Sequence, residues 1–189
     1  MKKLSPYVLA LSLSCSALGI SYAQKQPPLD KSPLDIIYFP NGYTTAKKNG
    51  KDVGKLVARV VYSRPSREAR EVFGKLVEYG KVWRLGANES TEVQFFESVK
   101  IDNKTVAPGR YTLFAVPQAD KWTIILNKAT DSWGAFTYDQ SMDVLRIDVP
   151  VNVLENPFES FTMAFVKAET GFGLFMGWDT TSVLLPVSF

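Results

Sequence analysis

Short segments in which every second residue is apolar recur along this chain, and they limit its fold more than any other feature. In LVARVVY, residues 56–62, the residues that share one face of a strand are Leu56, Ala58, Val60 and Tyr62. Similar segments are TEVQFF, VKI, GRYTLFAVP, KWTIILN, MDVLRIDV, FTMAFVKA, GLFMGW and TSVLLPV. No helical stretch is long enough to connect parallel strands, so we expect antiparallel pairing. We predict a mainly β fold, a single-domain antiparallel β-sandwich of about eight short strands with at most one short helix.

One segment carries helix signals, PSREAREVFGKL at residues 65–76. Pro65 suits the first position of a helix, and Gly74 suits a position near its end. We therefore expect a helix of a turn or two here.

The N-terminus has the three parts of a secretory signal peptide: the basic MKK, the apolar VLALSLSCSALGI and small residues before Gln24. We predict that residues 1–23 are a signal peptide, residues 24–34 an extended Pro-rich leader and residues 35–189 a single β-sandwich domain. The only cysteine, Cys15, lies in the signal segment, and SLSC lacks the leucine that lipoproteins carry three positions earlier. We expect a periplasmic or extracellular protein, not a lipoprotein, without disulfides. No other run of about 20 apolar residues predicts a membrane span.

Charge and composition exclude several classes of function. Of 22 basic residues, Lys2 and Lys3 fall in the predicted signal peptide, which leaves 20 against 19 acidic residues. This near balance argues against nucleic acid as a partner. The sequence contains no histidine, which excludes Ser/His/Asp triads, Cys/His dyads and ordinary His or Cys zinc sites. We expect neither a metal nor a cofactor.

The segment YGKVWRLGANES, residues 79–90, gathers chemically diverse side chains. It is too polar for a core strand and leads into TEVQFF, so we expect a loop or a bulged strand start at a sheet end. The candidate binding residues in it are Trp83, Arg84, Asn88 and Glu89. A guanidinium offers bidentate hydrogen bonds, an amide both donates and accepts, and an indole offers a stacking face. Together these groups suit a polar small molecule, a glycan or a peptide.

A structural interpretation of the same residues stays open. Arg84 would pair with Glu89 or Glu92, Asn88 would cap a turn, and Trp83 would close one end of the sandwich.

Further polar and aromatic residues are candidates for the same site. Arg64, fixed within Ser-Arg-Pro, is assigned a binding or buried role, whereas Arg67 and Glu68 suit a surface salt-bridge lattice. Trp133 and Tyr138 flank a loop and form either an aromatic wall for a sugar or peptide, or packing across the loop.

A hydrolase with paired carboxylates is the second functional hypothesis. Glu89 would be the first carboxylate and Glu92 or Asp139 the second. On a regular strand, positions 89 and 92 face opposite sides, so that pair requires a bulge.

Several of these motifs resemble domain-of-unknown-function family 2911, which comprises secreted or envelope proteins found mainly in Bacteroidetes-type bacteria. The similar stretches are YSRPS, Arg70 before VFGKLV, YGKVWRLGANES, PGRYTLF, WTIILN, WGAF with YD, and a closing tryptophan strand. They span roughly residues 33–187, and the combination of WRxGANE with an upstream SRP is specific. The resemblance implies a compact, mostly β domain and an exported address, and it implies no particular reaction. Trp178 departs from the family pattern, because Asp179 and Thr180 follow it in place of Gly and a basic residue.

The sequence thus predicts an exported bacterial envelope domain that binds a polar small molecule, glycan or peptide at WRxGANE without catalysis, or that helps to assemble an envelope protein complex. The alternative is a carboxylate-dependent hydrolase that acts on a glycan-like substrate.

Overall fold

The structure, a computed structural model, describes residues 26–189. The predicted signal peptide with Cys15 lies outside the described residues, and its cleavage stays a prediction. In chain order the elements are β1 (Leu34–Phe39), α1 (Tyr43–Lys48), β2 (Ala58–Ser63), β3 (Glu92–Phe95), β4 (Val99–Ile101), β5 (Lys104–Val106), β6 (Gly109–Pro117), β7 (Lys121–Asn127), a 3₁₀ turn (Gln140–Met142), β8 (Asp143–Pro150), β9 (Asn152–Ala168) and β10 (Gly171–Ser188).

Two antiparallel sheets face each other, which confirms the predicted β-sandwich. One sheet has six strands in the order β1-β2-β3-β6-β7-β8, and the other has four in the order β5-β4-β10-β9. The ten strands exceed the expected number of about eight. β1 and β5 are not among the predicted strands, because LDIIYF does not alternate apolar with polar residues and KTV is only three residues long.

The core lies between the inward faces of the two sheets. In β2, Ala58, Val60 and Tyr62 share the inner face and are at most 1% exposed, in agreement with the strand period predicted for this segment. The four-stranded sheet contributes residues such as Met163 and Leu174 from its own inner face. Burial of these alternating positions is the main source of stability, because residues 26–189 contain no cysteine that could form a disulfide.

At one end of the sandwich, five aromatic residues form a cluster that we call the aromatic cluster: Phe73, Trp83, Trp122, Phe161 and Trp178. Trp83 contacts the other four, with ring centroids between 5.1 and 6.1 Å away. Trp122 is fully buried, which confirms its predicted place in the core.

The prediction of a helix at residues 65–76 is wrong. This segment is made of turns and isolated bridges, and the bridge between Ser66 and Ser160 attaches it to β9. Glu68 and Ala69 have positive φ angles of 49° and 60°, which interrupt a helix. The apolar residues at the end of the segment do not form one helical face, because Phe73 bridges Val77 and both enter the core.

The α-helix instead lies at Tyr43–Lys48, before β2. Gly50 adopts a positive φ of 68° just after it, and two lysines occupy its last turn, where they complement the helix dipole. Within residues 26–189, no helix has the length and apolar character that a membrane crossing requires.

Candidate functional site

The WRLGANE stretch is a loop whose two ends are hydrogen-bonded to β6. Trp83 exchanges two backbone hydrogen bonds with Ala115 of β6, at 2.7 and 2.9 Å. The chain rejoins the same strand at Thr91, whose carbonyl accepts from the Leu113 N–H at 2.9 Å. Residues 84–90 therefore project from the sheet between two fixed points, which agrees with the expected loop at a strand start.

Local hydrogen bonds fix the shape of this loop. The Trp83 indole N–H donates to the Gly86 carbonyl at 3.2 Å. The Ser63 hydroxyl accepts from the Ala87 N–H at 2.6 Å and donates to the Ala87 carbonyl at 2.5 Å. A Cβ at Gly86 would lie 2.7 Å from Ser63 Oγ, so the close approach requires glycine.

The loop forms one side of a cavity of about 230 Å³, which we call the Arg84 pocket. Its lining residues are Ser32, Pro65, Arg70, Leu76, Val77, Trp83, Arg84, Gly86, Ala87 and Trp178. The pocket joins the loop to the 65–77 segment and to β10, so chain segments far apart in sequence meet there.

Arg84 is half-buried, and among residues 26–189 no group accepts a hydrogen bond from its guanidinium or forms an ion pair with it. Its Nε atom is fully buried without a partner. Burial lowers the pKa of the Arg84 guanidinium below its ordinary value. The expected structural partners Glu89 and Glu92 do not contact it. A cation in this state has hydrogen-bonding capacity left for a ligand.

Arg70 lies at the rim of the same pocket. Its Nε and Nη2 donate to the carbonyls of Arg67 and Ser66, each at 2.7 Å, and its nearest carboxylate, Glu68, is 3.9 Å away. These bonds hold the guanidinium in place and leave donors free. Arg70 comes from the segment that precedes WRLGANE, and its place beside Arg84 depends on how residues 65–77 fold back.

Trp83 and Trp178 form the inner wall of the pocket. They are only 7% and 2% exposed, so little of either ring is free for a ligand to stack on. Trp178 was missed as a site residue, because it comes from the far end of the chain. The Trp178 indole N–H donates to the Glu159 carbonyl at 3.2 Å, which fixes the ring.

Two other candidate residues lie outside this pocket. Arg64 pairs with Asp35 at 3.1 Å and donates to the Thr162 hydroxyl at 3.2 Å. The Asn88 amide donates to Asp30 at 2.9 Å, which ties the loop to the chain before β1. Both side chains are therefore engaged in contacts within the protein.

A second cavity, of about 330 Å³, lies on the other side of the loop, and we call it the Glu89 pocket. Its lining residues are Leu34, Val61, Tyr62, Glu89, Ser90, Glu92, Asp131, Ser132 and Trp133. Glu89 and Glu92 line it together because Glu89 precedes the regular strand and bridges Trp133, whereas Glu92 begins β3. The irregular backbone that would let Glu89 and Glu92 face the same side is thus present.

The two carboxylates differ in what they contact. Glu92 lies 3.0 Å from Arg110 Nε and accepts the Asp131 N–H at 2.8 Å. Within the described chain, Glu89 has no ion pair. Trp133 is 60% exposed beside them and could offer a face to a ligand.

Tyr138 and Asp139 do not join Trp133 and Glu89 in this pocket. The Tyr138 hydroxyl donates to Asp143 at 2.7 Å and accepts from Arg146 at 2.7 Å. Burial, together with the hydrogen bond to Asp143, raises the pKa of Tyr138 to about 12. The Asp139 carboxylate accepts the Ser141 N–H at 2.8 Å and caps the 3₁₀ turn.

A third concavity, of about 500 Å³, lies beside Phe39 and Phe189. Its two charged side chains, Lys55 and Glu97, pair with each other at 3.3 Å. It therefore offers a ligand fewer free hydrogen-bonding groups than the Arg84 pocket does. In the part of the chain that the structure describes, no group of three or more His, Cys, Asp or Glu residues is placed to hold a metal ion.

Comparisons with known proteins identify the family and add no activity. Neither the curated proteins nor the solved structures include a match to this sequence. The model of a family described as a protein of unknown function, DUF2911, matches residues 44–187, a range that contains the loop and most of both pockets. This chain therefore belongs to the DUF2911 family.

Proposed function

We propose that this protein is an exported, non-catalytic binding protein that holds a small anionic molecule in the Arg84 pocket. The observation that carries the proposal is the half-buried guanidinium of Arg84, which lines a cavity and has no partner among the described residues. A partly desolvated charge without compensation lowers the stability of a fold. A ligand that supplies the missing acceptors explains why such a group is present.

The charge of the pocket supports an anion. Arg84 and Arg70 both line it, whereas the described lining residues include no carboxylate. A guanidinium presents its donors in a planar fork that matches the oxygens of a carboxylate or phosphate. The range of candidate polar ligands thereby narrows to those that carry negative charge, including acidic glycans and peptide carboxyl ends.

The composition of the pocket supports binding without catalysis. Its described lining offers two guanidinium groups, one hydroxyl, at Ser32, and otherwise apolar side chains and backbone. A general base requires a group that takes up a proton near neutral pH, and arginine does not serve this role. The lining groups suit recognition of charge more than bond cleavage.

Export is the second part of the proposal, and it rests on the predicted signal peptide. We expect the mature protein to begin at or near Gln24 and to occur in the periplasmic or extracellular fraction. Intact-mass analysis of the protein from those fractions tests this. A mass that includes residues 1–23, or a lipid on Cys15, would contradict it.

Anion binding is tested by titration calorimetry of the mature protein with acetate, benzoate and inorganic phosphate. We expect at least one of these anions to bind the wild type and to lose binding in Arg84→Met, which replaces the aliphatic stem of the arginine and removes its charge. Arg59→Met is the matched control, because Arg59 is also half-buried but donates to Gln94 at 2.6 Å and lines none of the three cavities. Equal binding by Arg84→Met and wild type would refute the proposal.

Carboxylate-dependent hydrolysis of a glycan-like substrate is a second candidate function, favoured by one observation. Glu89 and Glu92 line one cavity together with the exposed Trp133, a residue type that stacks on sugars. Against it, the Glu92 carboxylate is already held by Arg110 and the Asp131 N–H. A binding role for the Arg84 pocket therefore remains the first proposal.

A further inference from the structure

We infer that the ligand of the Arg84 pocket is a monocarboxylate with an apolar body, such as an aryl or alkyl acid or the carboxyl-terminal residue of a peptide. This inference rests on the proposed function and goes further by naming the class of ligand. It combines the charge, the lining and the size of the pocket.

The charge of the pocket matches a single negative charge. Arg84 is the half-buried cation of the described chain whose guanidinium donates to no acceptor at all. Arg59 also has a buried Nε without a partner, but its Nη2 donates to Gln94 at 2.6 Å. Arg70 is more exposed, with Glu68 3.9 Å from one of its terminal nitrogens. A dianionic phosphate would bring more charge into the cavity than the one uncompensated guanidinium balances.

The lining matches an apolar body. The apolar side chains around the cavity are Pro65, Leu76, Val77, Trp83, Ala87 and Trp178. Apart from the two arginines, Ser32 is the polar side chain in this lining. The hydroxyl groups of a sugar acid would therefore find few side-chain partners. An alkyl or aryl group would instead remove apolar surface from water on both sides of the interface.

The size of the pocket matches a small ligand or the end of a longer one. The volume of about 230 Å³ far exceeds the roughly 10–15 Å³ that a single water molecule needs by this measure, so it admits a small organic molecule. This space suits one ring or a short alkyl chain together with its carboxylate. A second sugar or a second residue of a peptide would extend beyond the cavity.

The orientation follows from where the charge lies. The carboxylate is expected at the free terminal nitrogens of Arg84, because the buried Nε does not reach solvent. The apolar body then lies against the wall formed by Trp83 and Trp178, both of which line the cavity. Its contact with these rings should also change tryptophan fluorescence.

The test compares ligands that differ in one property at a time, on the mature protein, by titration calorimetry and tryptophan fluorescence. Hexanoate and phenylpropionate carry the apolar body and acetate lacks it. Glucuronate replaces the body with hydroxyls, and inorganic phosphate changes the charge. N-acetyl-phenylalanine imitates the end of a peptide, and its amide lacks the carboxylate.

We expect the acids with an apolar body to bind roughly tenfold or more tightly than acetate or glucuronate, because burial of even two methylene groups changes affinity by about that factor. The amide should lose binding, as should Arg84→Met, and Arg84→Lys should weaken it because lysine lacks the planar fork. Arg59→Met should bind like the wild type. Tighter binding of N-acetyl-phenylalanine than of phenylpropionate indicates a peptide end, and the reverse order indicates a free acid.

Different results would refute the proposed function and the inferred class of ligand. If glucuronate or phosphate binds more tightly than the apolar acids and requires Arg84, the inference about the ligand class is overturned while the proposed function stands. If none of these anions binds in a manner that depends on Arg84, both are refuted.

Discussion

Trp83 and Trp178 lie with their ring centroids 6.1 Å apart and their planes inclined by only 18°. Trp83 is attached to the six-stranded sheet through β6, and Trp178 belongs to β10 of the four-stranded sheet. The pair therefore joins the two layers of the sandwich and also forms the inner wall of the Arg84 pocket. The inner wall of the candidate site is therefore part of the core, and packing between the two sheets fixes its position.

Removal of Trp83 should destabilise the protein strongly. Trp83→Ala deletes the residue that contacts every other member of the aromatic cluster, and buried Trp→Ala substitutions cost about 3–5 kcal/mol. Trp133→Ala is the control, because Trp133 is 60% exposed and its loss should change stability by no more than about 0.5 kcal/mol. Urea denaturation of the mature protein measures both. Similar losses in the two variants would contradict the assigned roles.

Replacement of Arg84 should leave stability unchanged or raise it. Arg84→Met removes a partly desolvated charge that has no partner among residues 26–189, and we expect a gain of up to about 2 kcal/mol. Arg59→Met should instead lose about 1 kcal/mol, because it breaks the hydrogen bond to Gln94. The comparison uses the free energy of unfolding without added ligand. A loss of roughly 3–5 kcal/mol in Arg84→Met would mean that the arginine is part of the scaffold.

The sequence was sufficient to predict what depends on local pattern. The alternation of apolar residues predicted the sandwich and the strand period of β2, and the polarity of WRLGANE predicted a loop or a bulged strand start. The helix at 65–76 failed because Pro65 and Gly74 suit turns as well as helix ends. In the structure these turns follow from bonds to β9, such as that from the Arg67 N–H to the Glu159 carbonyl at 2.8 Å.

Which residues line the Arg84 pocket could not be predicted from local sequence pattern, because it depends on contacts between distant segments. Arg84 and Glu89 are close in sequence, yet they line different cavities because the loop turns between them, with Asn88 at a positive φ of 57°. Trp178 and Arg70 reach the Arg84 pocket through the pairing of β10 and the fold of the 65–77 segment. Such long-range proximity requires the three-dimensional arrangement of both sheets.

Gly86 should tolerate no side chain. Gly86→Ala would place a Cβ 2.7 Å from Ser63 Oγ at a φ of 153°, so we expect a loss of about 2–5 kcal/mol from backbone strain and crowding. Gly80→Ala is the matched control, because Gly80 has a positive φ of 73° but no atom within 4 Å of the added Cβ. It should lose only the conformational cost of about 1–2 kcal/mol. Equal losses in the two variants would show that the contact with Ser63 is not restrictive.

Tyr138 should make the protein less stable at high pH. Burial and the hydrogen bond to Asp143 raise its pKa from 10.0 to about 12, so the folded state holds the phenolic proton more tightly than the unfolded state does. The stabilisation is complete below pH 10 and is lost as the pH rises to about 12. Tyr138→Phe should flatten this decline in urea midpoints measured between these pH values. A residual slope is expected from Tyr62, whose pKa is also raised by burial. Parallel curves for wild type and variant would contradict the assignment.

Glu89→Gln separates the two candidate functions. Glu89 lines the Glu89 pocket and not the Arg84 pocket, so the substitution should leave the binding of an anion at Arg84 unchanged. Because the side chain is exposed, stability should change by no more than about 0.5 kcal/mol. Calorimetry and urea denaturation measure these outcomes, with Glu71→Gln, an exposed carboxylate that lines neither of these pockets, as the control.

The same variant has a distinct expected behaviour if the protein is a hydrolase. The mature wild type would then release reducing ends from a glycan, and Glu89→Gln would lose turnover by about 10² or more while it still bound the substrate, because the carboxylate would be needed for proton transfer or attack more than for contact. Under the proposed binding function, neither wild type nor variant releases reducing ends. Glycan cleavage that depends on Glu89 and is unaffected by Arg84→Met would place the activity in the Glu89 pocket and would overturn the non-catalytic proposal.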